Sequence, residues 1–179
     1  GEKDRFLNAF YEHYVHWLAL PLSFSGQGVG ADTPLFDQDS SSLSASRRHV
    51  CEIFSLCISS HTFRMKYYVL KNHLLAKVLL LLGSRQKHLH VYGLKVFRAV
   101  LAEKDEFYCR HITKSEHFKP IVACLLANAR RDNMIASVVI EMLDYVRAEG
   151  MRTLIEHIVT RNGLELQDLP RPDVYERLK

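Results

Sequence analysis

The stretch VLKNHLLAKVLLLLGSRQKHLHVYGLKVFRAV, residues 69–100, overlays the stretch ITKSEHFKPIVACLLANARRDNMIASVVIEML, residues 112–143, when the chain is shifted by 43 positions. Any helix-rich sequence aligns with itself to some extent, because its apolar residues recur at helical spacing. Here the turns match as well as the apolar stripes, which favours a genuine repeat. The matching pairs include Val69 and Ile112, Leu75 and Phe118, Val78 and Ile121, Leu79 and Val122, Val96 and Val139, and Lys71 and Lys114.

Each repeat reads as a short helix, a second helix and a longer third helix. Its period of about 43 residues lies in the armadillo/HEAT range. No single unit of this size can bury its own apolar face, so neighbouring units stack into a continuous core. The alternation of apolar and polar residues that is typical of strands is absent from the sequence. We therefore predict an all-α fold, an armadillo/HEAT-like α-solenoid of helical repeats.

The helix boundaries follow from the residues that start and stop helices. Asn72 is expected to cap the helix that follows it, and Gly83 to end that helix in a left-handed conformation. Pro120 falls in the first turn of a helix, where its missing N–H costs nothing. Asp132 is expected to cap the next long helix and Gly150 to close it. The predicted helices lie near 3–20, 45–60, 62–71, 73–82, 87–102, 106–113, 117–128, 132–148 and 150–161.

The first predicted helix carries one apolar stripe and ends before Pro21. Its apolar residues recur at spacings of three and four, and they are Phe6, Leu7, Phe10, Tyr14, Trp17 and Leu18. Residues 21–44 are rich in Pro, Gly, Ser and Asp, which predicts a long loop. This loop is either functional or a tolerated insertion, and nothing in it suggests chemistry. We expect residues 1–179 to form a single helical-repeat domain with this loop inside it.

Composition excludes several classes of protein. The 179 residues are 47% hydrophobic and 25% charged, as in an ordinary globular protein rather than a disordered tail. The four cysteines fit no metal-binding pair or secreted disulfide framework, and each falls in an apolar helical pattern, which indicates a reducing compartment. No apolar run approaches the roughly 20 residues that span a bilayer, so no membrane association is expected.

The net charge of +4 is unevenly distributed, because residues 61–179 carry a net +7. A basic region can attract an acidic partner or the nucleic-acid backbone. The basic residues are spread at helical spacing rather than gathered in a stripe, and no single-strand binding pattern is present. A solvated basic face is the simpler interpretation. An independent solenoid that binds nucleic acid or an acidic partner through its C-terminal two-thirds remains the alternative.

The sequence shows no constellation that carries catalysis or holds a metal. Among the ten histidines, His13 and His16 are the best placed, because they share one predicted helix face, with Glu12 next to His13 in sequence. No clear third ligand accompanies them. No nucleophile elbow, phosphate loop or dinucleotide fingerprint is present. We expect a protein that is not an enzyme, with no catalytic residue, metal or cofactor. An unrecognised active site around these three residues is the remaining catalytic hypothesis.

A protein-binding face is the remaining candidate site. Solenoids bind partners in the groove lined by the last helix of each repeat, which here means residues 87–102 and 132–148. Polar side chains there can hold the backbone amides or acidic side chains of a peptide. Ordinary solvation explains the presence of each polar side chain taken alone, and only the set as a whole indicates a binding face. The candidates are Lys87, His88, Lys95, Arg98, Arg131, Asn133, Ser137, Glu141 and Asp144.

Several strings exceed generic helical patterning, among them KDEFYCRHI at 104–112 and FKPIV at 118–122. Together they resemble one family, the SMEK proteins, or regulatory subunit 3 of protein phosphatase 4. The similarity covers nearly all of residues 4–160, whereas segment 21–44 and the tail 162–179 diverge. The most specific string is Lys104, Asp105, Glu106, Phe107 and Tyr108, which either seals one repeat onto the next or contacts a partner. The other strings are FLNAFYEH at 6–13, HTF at 61–63, LKVFR at 94–98, FKPIV at 118–122, RDNMI at 131–135 and YVR at 145–147.

The resemblance implies a non-catalytic scaffold. Members of the family partner the phosphatase 4 catalytic subunit and a second regulatory subunit, and they recruit substrate or adaptor proteins. They act in the nucleus and the cytoplasm. This chain would correspond to the later part of the family's central helical-repeat region. No catalytic residue carries over, because the family's metal-bearing catalytic subunit is a separate chain.

Overall fold

A computed structural model of the protein describes residues 1–23, 41–129, 133–169 and 173–178, and the regular structure within these ranges is helical throughout. The fold is all-α and agrees with the predicted helical-repeat architecture. The helices are α1 (Glu2–Ala9), α2 (Val15–Leu18), α3 (Leu20–Ser23), α4 (Ser41–Lys71), α5 (Leu74–Leu79), α6 (Lys87–Ala102), α7 (Glu106–Lys114), α8 (Phe118–Asn128), α9 (Met134–Ala148), α10 (Arg152–Gln167) and α11 (Asp173–Leu178).

The chain forms two compact units, residues 1–96 and residues 97–179, with the division inside α6. The single domain expected over residues 1–179 stays a prediction. Residues 21–23 of the predicted loop belong to α3 and residues 41–44 belong to α4, so both ends of this loop are helical. The rest of the predicted loop lies outside the described residues. In residues 162–179, where the sequence analysis predicts a divergent tail, α10 continues to Gln167 and α11 follows.

In the first unit, the leading segment packs on α4 through a different face from the one predicted. Leu7 and Val15 are buried, whereas Phe6, Tyr14 and Trp17 are more than 60% exposed. For Tyr14 and Trp17 the reason is a π-helical turn, Phe10–Tyr14, between α1 and α2. A wider turn changes the angular position of every later residue, so spacings of three and four no longer mark one face.

Helix α4 is kinked where the sequence predicts the boundary between two helices. Thr62 interrupts it with non-helical backbone angles (φ 28°, ψ −92°), so the predicted helices 45–60 and 62–71 are two helical segments that meet at a kink. Tyr11 and Tyr68 tie α4 to the leading segment: the Tyr11 hydroxyl lies 2.9 Å from His61 Nδ1, and the Tyr68 hydroxyl donates to the Val15 carbonyl. The largest residues of this core include Phe54, Ile58 and Met65, all fully buried.

Two predicted caps of α5 are wrong. His73, with φ 51°, stands at the N-cap position, and the Asn72 side chain instead donates back to the Tyr68 carbonyl. The α5 helix ends at Leu79 and continues as a 3₁₀ turn, Leu80–Gly83, whose following residue is extended. Gly83 is not left-handed, because the tighter 3₁₀ turn already satisfies the last carbonyls.

In the second unit, the predicted boundaries are largely confirmed. Pro120 lies in the first turn of α8, and Gly150 follows α9 in a left-handed conformation with φ 62°. Asn133 caps α9, and the cap predicted at Asp132 falls outside the described residues. Phe97 and Val139, which the repeat register places in the core, have no exposed surface.

The repeat is visible in burial within each unit. Leu75, Val78 and Leu79 are buried in the first, and their counterparts at a shift of 43, Phe118, Ile121 and Val122, are buried in the second. Cys51, Cys57 and Cys124 are also buried, as their apolar surroundings predict, whereas Cys109 is partly exposed. In the described residues, no helix is long and apolar enough to cross a membrane.

Candidate protein-binding face

Helix α9 presents a polar face built from four of the predicted residues. Asn133, Ser137, Glu141 and Asp144 are spaced by four, four and three, which places them on one side of the helix. The opposite side carries the buried residues Ile135, Ala136, Val139, Met142, Leu143 and Val146. The apolar side anchors α9 in the core of the second unit, so the polar face is held in a fixed position. We call these four residues the α9 face.

Asn133 and Ser137 begin this face with local hydrogen bonds. Asn133 Oδ1 accepts from the Ala136 backbone N–H at 2.9 Å, and Asn133 Nδ2 donates to the Asn128 carbonyl at 3.0 Å. The Asn133 side chain is therefore committed to the helix start. Ser137 Oγ donates to the Asn133 carbonyl at 3.2 Å and remains exposed. A hydroxyl in this arrangement still offers its lone pairs to a partner.

Arg98 lies beside the middle of the α9 face. Its guanidinium carbon is 3.4 Å from the centre of the Tyr145 ring, and Arg98 Nη2 donates to Glu141 Oε1 at 3.5 Å. Arg98 Nε is buried and has no hydrogen-bond partner among the described residues, although it also lies 3.5 Å from Glu141 Oε1. Stacking on an aromatic ring and pairing with a carboxylate hold a guanidinium in one orientation. The structure thus joins two predicted residues, Arg98 and Glu141, through a third, Tyr145.

Asp144 lies in a second charged group. Arg177 Nη1, from α11, donates to Asp144 Oδ2 at 2.9 Å, and Arg147 Nε is 3.9 Å from Asp144 Oδ1. Sequence reasoning missed Tyr145 and Arg177. Tyr145 could have been found from its position four residues after Glu141 on the same helix. Arg177 could not, because its contact depends on how α11 folds back on α9.

Three of the other predicted residues belong to the first unit. Lys87, His88 and Lys95 are exposed on the part of α6 that belongs to the first unit. There His88 Nε2 lies 3.0 Å from Ser44 Oγ, so this imidazole has a partner on α4. Arg131 lies outside the described residues.

The string at residues 104–108 forms and stabilises the N-terminal end of α7. Lys104 adopts φ 50° and pairs with Glu149, and Asp105 Oδ1 accepts from the backbone N–H groups of Phe107 and Tyr108. Glu106 pairs with Arg110, one turn along α7, at 2.7 Å. The carboxylates at 105 and 106 therefore stabilise the helix and do not converge on a common point.

The two aromatic residues of this string differ in burial. Tyr108 is 2% exposed, and its hydroxyl has no hydrogen-bond partner in the part of the chain that the structure describes. Burial raises the pKa of Tyr108 well above the usual value. Phe107 is 60% exposed. Tyr108 thus belongs to the core of the second unit, and Phe107 offers a large apolar contact at the surface.

Beside this string lies a pocket of 280 Å³, lined by residues of α7 and of the α9–α10 connection. Lys104 and Glu149 close one side, and Cys109 contributes its thiol. Burial and the neighbouring Asp105 carboxylate raise the pKa of the Cys109 thiol, so the thiolate needed for nucleophilic chemistry is disfavoured.

The catalytic hypothesis receives no geometric support from the residues that motivated it. Glu12, His13 and His16 are all exposed, and His13 Nε2 lies 3.8 Å from Glu12 Oε2. Within the described ranges, no group of three or more His, Cys, Asp or Glu residues is arranged to hold a metal ion.

Comparison with known proteins places the chain in context. The family described as "Phosphatase 4 regulatory subunit 3" matches residues 1–179. The chain is 30% identical over 178 residues to the Drosophila melanogaster serine/threonine-protein phosphatase 4 regulatory subunit 3, covering 99% of this chain and 18% of the relative. It is 31% identical over 164 residues to the Mus musculus protein PPP4R3C1, covering 88% of this chain and 20% of the relative. The chain thus spans about a fifth of these curated relatives, and no solved structure matches it significantly.

Proposed function

The chain belongs to the phosphatase 4 regulatory subunit 3 family, and we propose that it is a non-catalytic scaffolding module through which phosphatase 4 meets its protein substrates. The observation that carries this proposal is the family match over the full length of the chain. In this proposal, the partners are the phosphatase 4 catalytic subunit, a second regulatory subunit, and substrate or adaptor peptides. The module acts in the nucleus and the cytoplasm.

The α9 face, with Arg98 and Tyr145 beside it, is our candidate for the protein contact. Its charges are held in place before a partner arrives, because Arg98 is stacked on Tyr145 and Asp144 is paired with Arg177. Preorganised side chains cost less entropy on binding than mobile ones. The aromatic ring and the arginine are of residue types enriched at the centres of protein interfaces, and exposed hydroxyl and carboxylate groups are typical of the polar rim.

Affinity capture with the 179-residue chain as bait tests the proposal. The capture is run from a cell extract at low and at moderate salt, and the bound fraction is identified by mass spectrometry and assayed for Ser/Thr phosphatase activity. We expect phosphatase 4 subunits and activity to survive moderate salt. Binding through the nucleic-acid backbone would instead fall steeply with salt, since each neutralised phosphate releases a counterion.

A pair of matched variants then locates the contact. Ser137→Arg adds a bulky charge to the α9 face, and Thr160→Arg makes the same change at an exposed position of α10. We expect the first to reduce the captured phosphatase at least tenfold and the second to leave it unchanged. Equal capture by both variants would move the contact away from the α9 face. Loss of phosphatase from the wild-type capture, with nucleic acid retained only at low salt, would overturn the scaffold proposal.

A further inference from the structure

Two histidines converge where α7 meets α8. His111 lies in the last turn of α7, and His117 stands at the N-cap position of α8. Their Nε2 atoms are 3.5 Å apart and their ring centres 5.2 Å apart, with the ring planes at 64°. His117 is only 6% exposed, while His111 is partly exposed, so the pair sits at the edge of the core with one side toward solvent.

The backbone holds these two rings in place. The His117 N–H donates to the Ile112 carbonyl at 3.1 Å, and the Ser115 N–H donates to the His111 carbonyl at 3.0 Å. Between them, Glu116 adopts the left-handed conformation, φ 51°, that closes a helix end. His111 and His117 are six positions apart in the sequence, and a short turn brings their imidazoles together. The pair therefore does not depend on flexible side chains that meet across a surface.

The separation of the two nitrogens fits a metal better than a hydrogen bond. Hydrogen bonds to nitrogen donors normally span about 2.7–3.2 Å between heavy atoms, so 3.5 Å is long. Two imidazole nitrogens bonded at about 2.05 Å to one tetrahedral ion lie roughly 3.4 Å apart. An ion can therefore enter between His111 and His117 with very little movement of either ring.

We propose that His111 and His117 form a two-ligand site for a divalent transition-metal ion of the imidazole-binding class, such as Ni²⁺, Cu²⁺ or Zn²⁺. Water completes the coordination, since no cluster of three or more suitable side chains exists in the described residues. Glu116, between the two ligands in sequence, is already paired with Arg161 of α10 at 3.7 Å. The site is exchangeable rather than structural, because structural sites take four protein ligands.

A metal ion bound at this site links the end of α7 to the start of α8. Each helix contributes one ligand, so the ion adds a cross-link that exists only in the folded chain. A ligand that binds the folded state alone raises the free energy of unfolding by RT ln(1 + L/Kd), where L is the free ligand concentration, and so raises the unfolding temperature. The metal therefore stabilises the second unit, and this effect is independent of any phosphatase contact.

Thermal unfolding and calorimetric titration of the 179-residue chain with NiCl₂ and ZnCl₂ test the site, with MgCl₂ as the negative control. We expect Ni²⁺ and Zn²⁺ to bind and raise the Tm, and Mg²⁺ to do neither. H111Q and H117Q should each weaken the metal Kd at least tenfold. His157, a partly exposed histidine on α10, provides the matched control, and H157Q should bind as the wild type does.

A second measurement keeps the proposal testable if H117Q fails to fold. In the wild-type chain, paramagnetic Ni²⁺ should broaden the imidazole NMR resonances of His111 and His117 before those of the other histidines. The proposal is overturned if the wild type binds neither Ni²⁺ nor Zn²⁺. It is also overturned if H111Q binds them as tightly as the wild type, or if broadening is greatest at other histidines.

Discussion

Phe97 and Phe118 meet edge to face in the core of the second unit, with ring centres 5.4 Å apart and ring planes at 87°. Neither ring has any exposed surface. An aromatic pair in this geometry contributes about 0.5–1.5 kcal/mol beyond the area it buries. Phe97, in the part of α6 that belongs to the second unit, is thereby anchored to the first turn of α8.

We expect Phe97→Ala to lower the free energy of unfolding by about 3–5 kcal/mol, because the change removes a buried ring and leaves a cavity. Urea denaturation followed by circular dichroism measures the loss. Phe107→Ala removes the same side chain from a position that is 60% exposed, and it should change stability by less than about 0.5 kcal/mol. Similar losses from the two variants would contradict the burial described for residue 97.

The stacking of Arg98 on Tyr145 should be measurable as a coupling energy. A double-mutant cycle of Arg98→Ala and Tyr145→Leu isolates the pair, and we expect a coupling of about 0.5–1 kcal/mol, the range for a partly exposed cation–π contact. Arg98→Ala also removes the partner of Glu141, so a second cycle with Glu141→Gln separates the two contributions. Coupling below experimental error in the tyrosine cycle would show that the guanidinium does not stack in solution.

Asp105 should matter far more to α7 than its neighbour Glu106. Its side chain accepts from two backbone N–H groups at the helix start, at 2.9 and 3.2 Å. We expect Asp105→Ala to cost about 1 kcal/mol, the usual value of an N-cap. Glu106→Ala, which removes only an exposed pair with Arg110, should cost less than half of that. Thermal unfolding of the two variants side by side checks the order.

His90 should make the protein less stable in mild acid. It is 3% exposed and its Nε2 lies 2.7 Å from the Ser84 carbonyl oxygen. Burial, with Lys87 nearby, lowers its pKa below the ordinary 6.5, so the folded state favours neutral imidazole. As pH falls through about 6.5, the unfolded chain takes up this proton first, and stability drops by about 1.4 kcal/mol for each unit of pKa difference.

The measurement is the free energy of unfolding at pH values from neutral to mildly acidic, for the wild type and for His90→Gln. Glutamine keeps a hydrogen-bonding group but does not titrate in this range. We expect the wild-type stability to fall more steeply than that of the variant. Parallel pH profiles would mean that His90 contributes nothing to the acid sensitivity.

The cysteines should differ in their reactivity. Burial raises the pKa of Cys51 to about 12, so its thiolate is scarce at neutral pH and its sulfur is inaccessible. Cys109 is partly exposed and lines an open pocket. Timed labelling with iodoacetamide, read by mass spectrometry, should modify Cys109 first and Cys51 only after denaturant is added. Early labelling of Cys51 in the native protein would show that α4 opens locally.

Much of the fold was predictable because repeat spacing reports burial directly. The bounds predicted for α6 match those observed, and Phe97 and Val139 lie in the core as the register requires. The prediction was wrong where the backbone departs from regular helix. The π-helical turn at residues 10–14 and the left-handed His73 depend on contacts that leave little trace in local composition.

The candidate face was only partly predictable. Helical spacing alone brings Ser137, Glu141 and Asp144 to one side of α9, so this group follows from the sequence. Helical spacing does not reveal that Arg98 of α6 pairs with Glu141 of α9, or that Arg177 of α11 pairs with Asp144 of α9. Those contacts depend on packing between elements, and Lys87, His88 and Lys95 belong to another unit despite their similar pattern.

The sequence by itself determined the class of this protein: an all-α helical-repeat chain of the phosphatase 4 regulatory subunit 3 family. The fold class follows from periodicity, because burial of one helix face is a local requirement, satisfied wherever apolar residues recur at helical spacing. The family follows from similarity to known sequences. Only the tertiary structure decided which polar groups meet, as at Arg98 and Tyr145 or at His111 and His117. Such pairs depend on interhelical angles and turn geometry, which arise from the packing of many side chains at once.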